Sequence, residues 1–261
     1  MTAGPLDGRG AVITGGSRGI GAAVGRVLGE AGAGVVLAAR TAAEVEKAAA
    51  DVRERGWNAF AVACDVSDER SVKRLGDAAR YHLGSVDILV NNAGGSSSGP
   101  LRRIALEEWN RMLLLNATTT FLCAREFTPS MLERGWGRVV NIASIAGLEG
   151  AKYISHYSAA KHAVVGFTRS LAIEFAGSGV TVNAVCPGYV DTQMTDRTLA
   201  LVESRAGLSK DLALAAVLAT TGQKRLVTPE EVAAAVLRLC LEDAAGTSGE
   251  TIVLKGGVLA S

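Results

Sequence analysis

The residues of this 261-residue chain that most directly suggest chemistry are Tyr157 and Lys161, in the run His156-Tyr157-Ser158-Ala159-Ala160-Lys161. They open an amphipathic segment that extends to about Ala176. On a helix, residues four apart stand one above the other, so a phenol and an ammonium at this spacing can approach. A free phenol, with a pKa of ~10, is a poor acid or base at neutral pH. A cation ~4 Å away, at an effective dielectric of ~20, favours the phenolate by ~4 kcal/mol, or up to roughly 3 pKa units. That would bring Tyr157 into the working range of a general acid/base. The same spacing also suits a plain amphipathic helix with a rim tyrosine and a solvated lysine, so the pair needs a partner and a cofactor. Tyr153 lies one turn earlier on the expected helical face, but no lysine follows it by four, and it is expected at the lip of the pocket. His156 and His162 face other directions on a helix, where a surface or packing role is expected.

The elements that must position these residues alternate regularly. Strands are expected at Gly10–Thr14, Val35–Ala39, Ala59–Cys64, Val86–Asn91, Arg138–Ile142, Val180–Val185 and Thr251–Leu254. Helical periods fill the intervals at Ile20–Ala31, Ala42–Arg55, Glu69–His82, Leu106–Met131, the Tyr157/Lys161 segment, and Glu230–Leu241 behind Pro229. Strands alternating with helices of this length predict right-handed crossovers, and so an α/β fold: a Rossmann-like, doubly wound, mostly parallel sheet of about seven strands with helices on both faces. No linker, repeat or low-complexity stretch divides residues 1–261, so a single domain is expected.

Bulk properties narrow the partners. A net charge of +1 supplies no field that would gather nucleic acid or an anionic membrane. The longest apolar run, Leu212–Ala219, is far short of the ~20 residues that span a bilayer. The first ten residues carry no apolar signal core, and a cytoplasmic location is expected. Cys64, Cys123, Cys186 and Cys240 have neither metal-ligand spacing nor a Cys-x-x-Cys, so they read as buried thiols and no metal is expected.

Between the first strand and first helix stands Thr14-Gly15-Gly16-Ser17-Arg18-Gly19-Ile20-Gly21. Glycines there let backbone approach a pyrophosphate, which then sits on the helix N-terminal amides. At the end of the second strand, where an acidic residue would accept from a ribose 2′-hydroxyl, the chain has Leu37-Ala38-Ala39-Arg40. Arg40 can hold a 2′-phosphate, with Arg18 adding a second charge. At ~1.5–3 kcal/mol per charge-assisted bond, this would favour NADP(H) over NAD(H) by ~10-fold or more. Alternatively, Arg40 is a solvated residue opening the next helix, and NAD(H) is also used. Asp65 and Val66, ending the third strand, are placed to meet the adenine; Asp65 would equally serve as a turn or cap residue.

Together these residues resemble the short-chain dehydrogenase/reductase family in its single-domain form, over nearly the whole chain. Thr14-Gly15-x-x-x-Gly19-x-Gly21 matches its cofactor turn, and Asn91-Asn92-Ala93-Gly94 its fourth-strand signature. Asn116, Ser144, Tyr157 and Lys161 fall where the family carries its catalytic tetrad, and Pro187-Gly188 with Val190 and Thr192 where it contacts the nicotinamide. The resemblance implies that Ser144 polarises a carbonyl and Tyr157 exchanges its proton. It further implies that Lys161 lowers the Tyr157 pKa and binds the nicotinamide ribose, while Asn116 relays protons through water. Ser17, Ile20, Asn92, Ala93 and Gly94 would complete the cofactor site. Alternatively, Ser144 is a strand-end cap and Asn116 a buried helix-bend residue.

A substrate lid is expected at about 193–224, as two helical pieces broken near Gly207. Leu148, Tyr153, Tyr189 and Met194 are candidate pocket walls, and the Gly95–Gly99 segment a mobile rim. Within the family the chain most resembles bacterial 3-oxoacyl thioester reductases and polyketide ketoreductases, through Glu133-Arg134-Gly135-Trp136-Gly137-Arg138 and Asn183-Ala184-Val185-Cys186-Pro187-Gly188. Carrier-protein reductases tend to place an arginine after the catalytic helix, where this chain has Ser178; only Arg134 keeps a basic position. A CoA ester or a small free ketone, cyclic or steroid-like, therefore competes with an acyl-carrier protein. The resemblance also implies a homotetramer or homodimer. The reading from another class is a dinucleotide-sensing regulator; such proteins usually lose the Tyr or Lys, and this chain keeps both.

Overall fold

The computed structural model describes residues 4–257. Short runs of Val, Ile, Leu and Ala form the strands because their β-branched and compact side chains fill a surface covered on both faces. The strands are β1 (Gly10–Thr14), β2 (Gly34–Ala39), β3 (Ala59–Ala63), β4 (Ile88–Asn91), β5 (Gly137–Ile142), β6 (Val180–Pro187) and β7 (Thr251–Leu254). All pair in parallel in the order β3-β2-β1-β4-β5-β6-β7. The strand order reverses beside β1, which pairs with β2 through Val12↔Val36 and with β4 through Val12↔Leu89. Ligands of open α/β sheets bind at the carboxyl ends of strands at such a switch point.

Side chains alternate between the two faces with the period of two that a strand imposes. Ala11, Ile13, Val35, Leu37, Ile88 and Val90 pack under α1 (Gly19–Glu30) and α2 (Ala42–Glu54). Val12, Val36, Ala38 and Leu89 pack on the other face, under α3 (Glu69–Leu83) and its neighbours. The remaining helices are α4 (Leu106–Leu113), α5 (Thr119–Arg134), α6 (Ser155–Glu174), α7 (Gln193–Ala206), α8 (Lys210–Ala219) and α9 (Pro229–Cys240). The start of α9 is fixed by Pro229 in its first turn and by a capping box, in which Thr228 and Glu231 each bond the other's backbone N–H. Gly207, left-handed at φ 64°, closes α7 and separates it from α8. These two helices share a small apolar core of Leu199, Ala213 and Val217.

The structure departs from the sequence expectation in two places that matter. The expected helix Leu106–Met131 is interrupted by a π-helical turn at Leu114–Thr118, and α5 continues through Pro129 to Arg134. β6 runs past Val185 to Pro187, the proline standing at the end of the strand. The four cysteines are free and buried. Among the described residues, no helix is long and apolar enough to cross a membrane.

Candidate active site

The glycine turn meets the end of β4 through a small polar lock. The Thr14 hydroxyl accepts from the backbone N–H of Asn92 (3.0 Å) and Ala93 (3.1 Å), while Asn92 Nδ2 donates to the carbonyls of Thr14 (3.0 Å) and Gly15 (3.1 Å). Gly21 must lack a side chain, since a Cβ there would lie 2.3 Å from the Gly15 carbonyl oxygen. Gly19 adopts φ 53°, and a Cβ on it would lie 3.2 Å from Thr192 Cγ2, which places the segment after β6 next to the glycine turn. Helix α1 begins at Arg18 with no side-chain cap and no acidic residue in its first turn. Its N-terminal amides and positive dipole end are therefore open to an anion. Ile20 and the backbone of Ser17 belong to the same turn. A concavity of about 560 Å³ borders it on the α1/α2 side, lined by Ser17, Arg18, Gly19, Glu44 and Lys47 among others.

Arg40 is exposed at the end of β2 and makes no ion pair among the described residues. It lies close enough to Asp65 to help hold that carboxyl below its usual range, after the hydrogen bonds from Ser67. Asp65 Oδ1 accepts from the Ser67 backbone N–H (3.0 Å) and hydroxyl (2.7 Å), so it does act as a turn residue. Val66 is partly buried against the core beneath it. Arg18 is not free: Glu44 Oε2 stands 3.5 Å from both its guanidinium and the Ser17 hydroxyl.

Helix α6, which carries Tyr157 and Lys161, is seated on the sheet by buried polar links. Asn91 Nδ2 donates to Asn141 Oδ1 (2.9 Å), Asn141 Nδ2 donates to Thr168 Oγ1 (2.9 Å), and Thr168 donates to the Val164 carbonyl (2.8 Å). This chain ties β4 and β5 to the middle of α6. The N-terminal turn of α6 is tied down separately, by Ser158 donating to the Ala146 carbonyl (2.6 Å) in the short turn after β5. Ser144 opens that turn and accepts from the Ala146 N–H (3.1 Å), so the strand-end cap expected as an alternative is also present.

Ser144 stands near enough to Tyr157 to pull the phenol's pKa down, but burial outweighs it and pushes Tyr157 up to about 12. Tyr189 stands near enough to raise it further. Lys161 is buried, donates to the Ile142 carbonyl (2.9 Å), and is drawn down to about 8 by burial. Its Nζ lies 5.9 Å from the Tyr157 ring centroid. The expected lowering of the Tyr157 pKa by Lys161 is thus absent from the protein alone. The ammonium is anchored on backbone and desolvated, and burial dominates both groups. Asn116 sits in the π-helical turn, 1% exposed, with Nδ2 donating to the carbonyls of Gly95 (2.9 Å) and Met112 (3.0 Å). The extra residue of such a turn re-aims a side chain without ending the helix. Asn116 Oδ1 and Lys161 Nζ lie 2.7 Å and 3.7 Å from where a Gly94 Cβ would be, so Gly94, Asn116 and Lys161 form one cluster.

Pro187 and Gly188 follow at the end of β6, and a Cβ on Gly188 would lie 2.3 Å from Gln223 Oε1. The Val190 side chain is buried in the core and its carbonyl accepts from Thr195 (2.6 Å), so its free polar group is the backbone N–H. Among the expected pocket walls, Tyr189 stands beside Tyr157, and Leu148 packs against the cluster of Ala143, Val164 and Cys186. Met194 is 42% exposed on the first turn of α7. Tyr153 is not on α6, which begins at Ser155; it precedes the helix at φ 68° with its side chain 63% exposed. The Gly95–Gly99 rim, expected to be mobile, is bonded at several points: Gly95 to Asn116, Ser97 to His156, and the Gly99 N–H to the Tyr153 carbonyl (2.7 Å).

Two contributors escaped the sequence. Gln223 is buried and pairs with both backbone groups of Tyr189, accepting from its N–H (2.7 Å) and donating to its carbonyl (3.1 Å), which clasps the chain after α8 to the segment after β6. His156, for which a surface or packing role is expected, takes the packing role at 1% exposed; what the sequence does not show is its bond to Ser97. No motif or periodicity marks either residue, because each acts through loops brought together only by the fold.

The family model described as short chain dehydrogenase matches residues 9–201. A granaticin polyketide synthase putative ketoacyl reductase from Streptomyces violaceoruber is 38% identical, over 95% of this chain and 92% of that protein. A cis-4-hydroxycyclohexanecarboxylate dehydrogenase from Sinomonas cyclohexanicum is 40% identical, over 96% of each. A crystal structure of a variant actinorhodin polyketide ketoreductase with NADPH superposes with a TM-score of 0.91, at 36% identity and over 98% of both chains. With the family model covering most of its length and relatives spanning nearly all of it, the chain belongs to the short-chain dehydrogenase/reductase family of oxidoreductases.

Proposed function

We propose that the protein interconverts a ketone and a secondary alcohol with NADP(H), acting on a 3-oxoacyl thioester. The observation that carries this is that Ser144 adjoins the Tyr157 phenol, which burial holds protonated, one helical turn from the buried Lys161. A protonated phenol and a hydroxyl at one point can both donate to a carbonyl oxygen, and both gain strength as charge develops on it. Tyr157 gives its proton to the developing alkoxide during reduction and takes it back in oxidation. Lys161 holds positive charge beneath that oxygen, and Asn116 closes the cluster behind it. Ser144, Tyr157, Lys161 and Asn116 are the catalytic set of this reading.

The residues present fit a dinucleotide. Gly15, Gly19 and Gly21 form a cradle that a Cβ would fill, the uncapped N-terminus of α1 offers amides to the pyrophosphate, and Arg40 stands unpaired where a 2′-phosphate would lie. Asn92, Ala93, Gly94, Pro187, Gly188, Val190 and Thr192 would border the nicotinamide half. When bound, the nicotinamide supplies the hydride exchanged with the carbonyl carbon. The NADPH in the similar ketoreductase structure supports the phosphorylated cofactor over NAD(H). Helices α7 and α8, within residues 193–224, serve as the lid: they share their own core and are clasped by Gln223.

The ketoacyl reductase relative supports a 3-oxoacyl substrate. Arg134 argues against a carrier domain as its donor, since its guanidinium is bonded to the Val86 carbonyl (2.7 Å) and Asp87 (3.2 Å) at the end of the strands away from Tyr157. A CoA ester is the form we favour. The 40%-identical cyclohexanecarboxylate dehydrogenase supports a second reading, a small cyclic secondary alcohol. Exposed Phe121 (42%) and Ile173 (79%) on α5 and α6 support pairing of copies through those helices. The decisive experiment follows NADPH absorbance with acetoacetyl-CoA and cyclic ketones, for the wild type and Tyr157→Phe. The wild type turns over a ketone and the variant loses at least ~100-fold. No oxidation of NADPH by any carbonyl would refute the reading.

A further inference from the structure

His156 is a deeply buried ionisable side chain near the site, 1% exposed, that the proposed reaction leaves idle. Its Nε2 lies 2.6 Å from Ser97 Oγ, and the Ser97 hydroxyl in turn bonds Glu108 Oε1. Glu108 is clamped from its other side by Arg111, through Nε to Oε2 (2.6 Å) and Nη2 to Oε1 (2.7 Å), which holds its carboxyl down at about 2. The proton order along this chain is determined. Ionised Glu108 can only accept, so Ser97 gives its single hydroxyl proton to Glu108, and His156 Nε2 must donate to Ser97. His156 Nδ1, buried without a partner, then carries a lone pair. An N–H at that position would be a buried donor with no acceptor, the costlier state.

The order also excludes a nucleophilic role. A serine activated for attack has its histidine as acceptor and the carboxylate on the far imidazole nitrogen. Here the carboxylate sits on the serine and the far nitrogen is bare. What remains is a mechanical link between three elements: α4 through Glu108 and Arg111, the Gly95–Gly99 segment through Ser97, and the first turn of α6 through the residue adjoining Tyr157.

We propose that the Arg111–Glu108–Ser97–His156 chain bolts the Gly95–Gly99 segment to the catalytic helix, making His156 and Ser97 positioning residues for the carbonyl substrate. The segment runs from Gly95, bonded to Asn116, to Gly99, bonded to the Tyr153 carbonyl, and Ser97 is its middle anchor. Its role as a substrate wall rests on the Tyr157 reading; the bolt itself does not.

The test combines amide hydrogen exchange of the 94–101 peptide with kinetics on acetoacetyl-CoA, for Ser97→Ala, His156→Leu, His156→Gln and Tyr157→Phe. Gln keeps an amide N–H where the imidazole has one. Ser97→Ala and His156→Leu should each speed exchange by about 5-fold, as the loss of one net hydrogen bond does, with KM raised similarly and kcat within about 2-fold. His156→Gln should return both toward wild type, and the Ser97→Ala/His156→Leu pair should be no worse than either alone. Unchanged exchange in Ser97→Ala, which lies on a partly exposed segment and does not threaten folding, overturns the bolt, as does a Gln variant that behaves like Leu. Tyr157→Phe should abolish turnover and leave exchange untouched. Retained turnover there refutes the acid/base reading, while the exchange result still decides the bolt.

Discussion

Lys161 and Tyr157, one turn apart on α6, do not bond each other: the ammonium is turned to the Ile142 carbonyl at 2.9 Å and stands 5.9 Å from the phenol ring centroid. Both groups are instead governed by burial, which pushes them in the direction that removes charge, the lysine down to about 8 and the tyrosine up to about 12. The protein alone therefore holds a protonated phenol beside an amine poised near neutrality. This suits donation to a carbonyl oxygen better than abstraction from an alcohol.

That arrangement has a cost in stability. Lys161 has a folded pKa of about 8 against an unfolded value of 10.5, so below pH ~8 both states are charged and the fold bears the whole penalty, roughly 3 kcal/mol. Between pH ~8 and ~10.5 only the unfolded state holds the extra proton, the penalty shrinks as pH rises, and above that window it is gone. Lys161→Met should therefore stabilise the protein by about 2 kcal/mol at pH 7, allowing ~1 kcal/mol for the lost donor to Ile142, and destabilise it by about 1 kcal/mol near pH 11. Urea unfolding at the two pH values checks this, and a difference of constant sign would contradict it.

Arg40 and Glu44 should set cofactor choice in opposite directions. Among the described residues Arg40 is unpaired, whereas Arg18 is occupied by Glu44 at 3.5 Å. Arg40→Asp should reverse the NADPH/NADH ratio of kcat/KM, a change of ~10-fold or more from the lost charge-assisted bond. Glu44→Gln releases Arg18 and Ser17, and should tighten NADPH by ~2- to 5-fold while leaving NADH unchanged. Fluorescence titration of both cofactors reads both effects. A ratio indifferent to Arg40 would remove it from the 2′-phosphate site.

The scaffold was legible because its signals are local. The short apolar runs of β1 and β2, the Pro229 helix start and the Gly207 break each arise from residues adjacent in sequence. Of the tetrad that the family resemblance implies, only the Tyr157/Lys161 pair was legible from its own spacing. The states of these groups were not legible, because the pKa values of Tyr157 and Lys161 depend on burial in the folded protein and on neighbours from other elements, among them Cys186 on β6. The π-helical turn at Leu114–Thr118 was also hidden: its apolar pattern continues that of a regular helix, and the distortion shows only in where Asn116 points. Tyr153 was placed on the helix because the apolar period extends one turn beyond the point where backbone at φ 68° ends it.

Gly94 and Gly95 should respond differently to the same substitution. A Cβ on Gly94 would lie 2.7 Å from Asn116 Oδ1, and Asn116 cannot retreat while it holds Gly95 and Met112. Gly94→Ala should cost about 1–3 kcal/mol and lower kcat at least ~10-fold by shifting Asn116 away from Lys161. A Cβ on Gly95 meets only Leu115 Cδ1 at 3.4 Å, so Gly95→Ala should stay within about 0.5 kcal/mol of wild type. Thermal unfolding and kcat on one ketone test the pair, and equal effects would deny that Asn116 is the obstacle.

Tyr153 separates strain from function. It is the sole non-glycine residue at positive φ among those described, and its carbonyl holds the Gly99 N–H at 2.7 Å. A bulky residue in the left-handed region costs roughly 1–2 kcal/mol, whereas asparagine tolerates it through its short polar side chain. With 63% of Tyr153 exposed, little burial is lost on its removal. Tyr153→Asn should therefore leave stability unchanged or raise it by up to ~1 kcal/mol. If the ring forms a lip of the substrate site, the same variant should raise KM for acetoacetyl-CoA at least ~3-fold with kcat nearly constant. A stability loss above ~1 kcal/mol would show that the ring packs as core. An unchanged KM would remove it from the substrate's path and leave its backbone, clasping Gly99, as the part that matters.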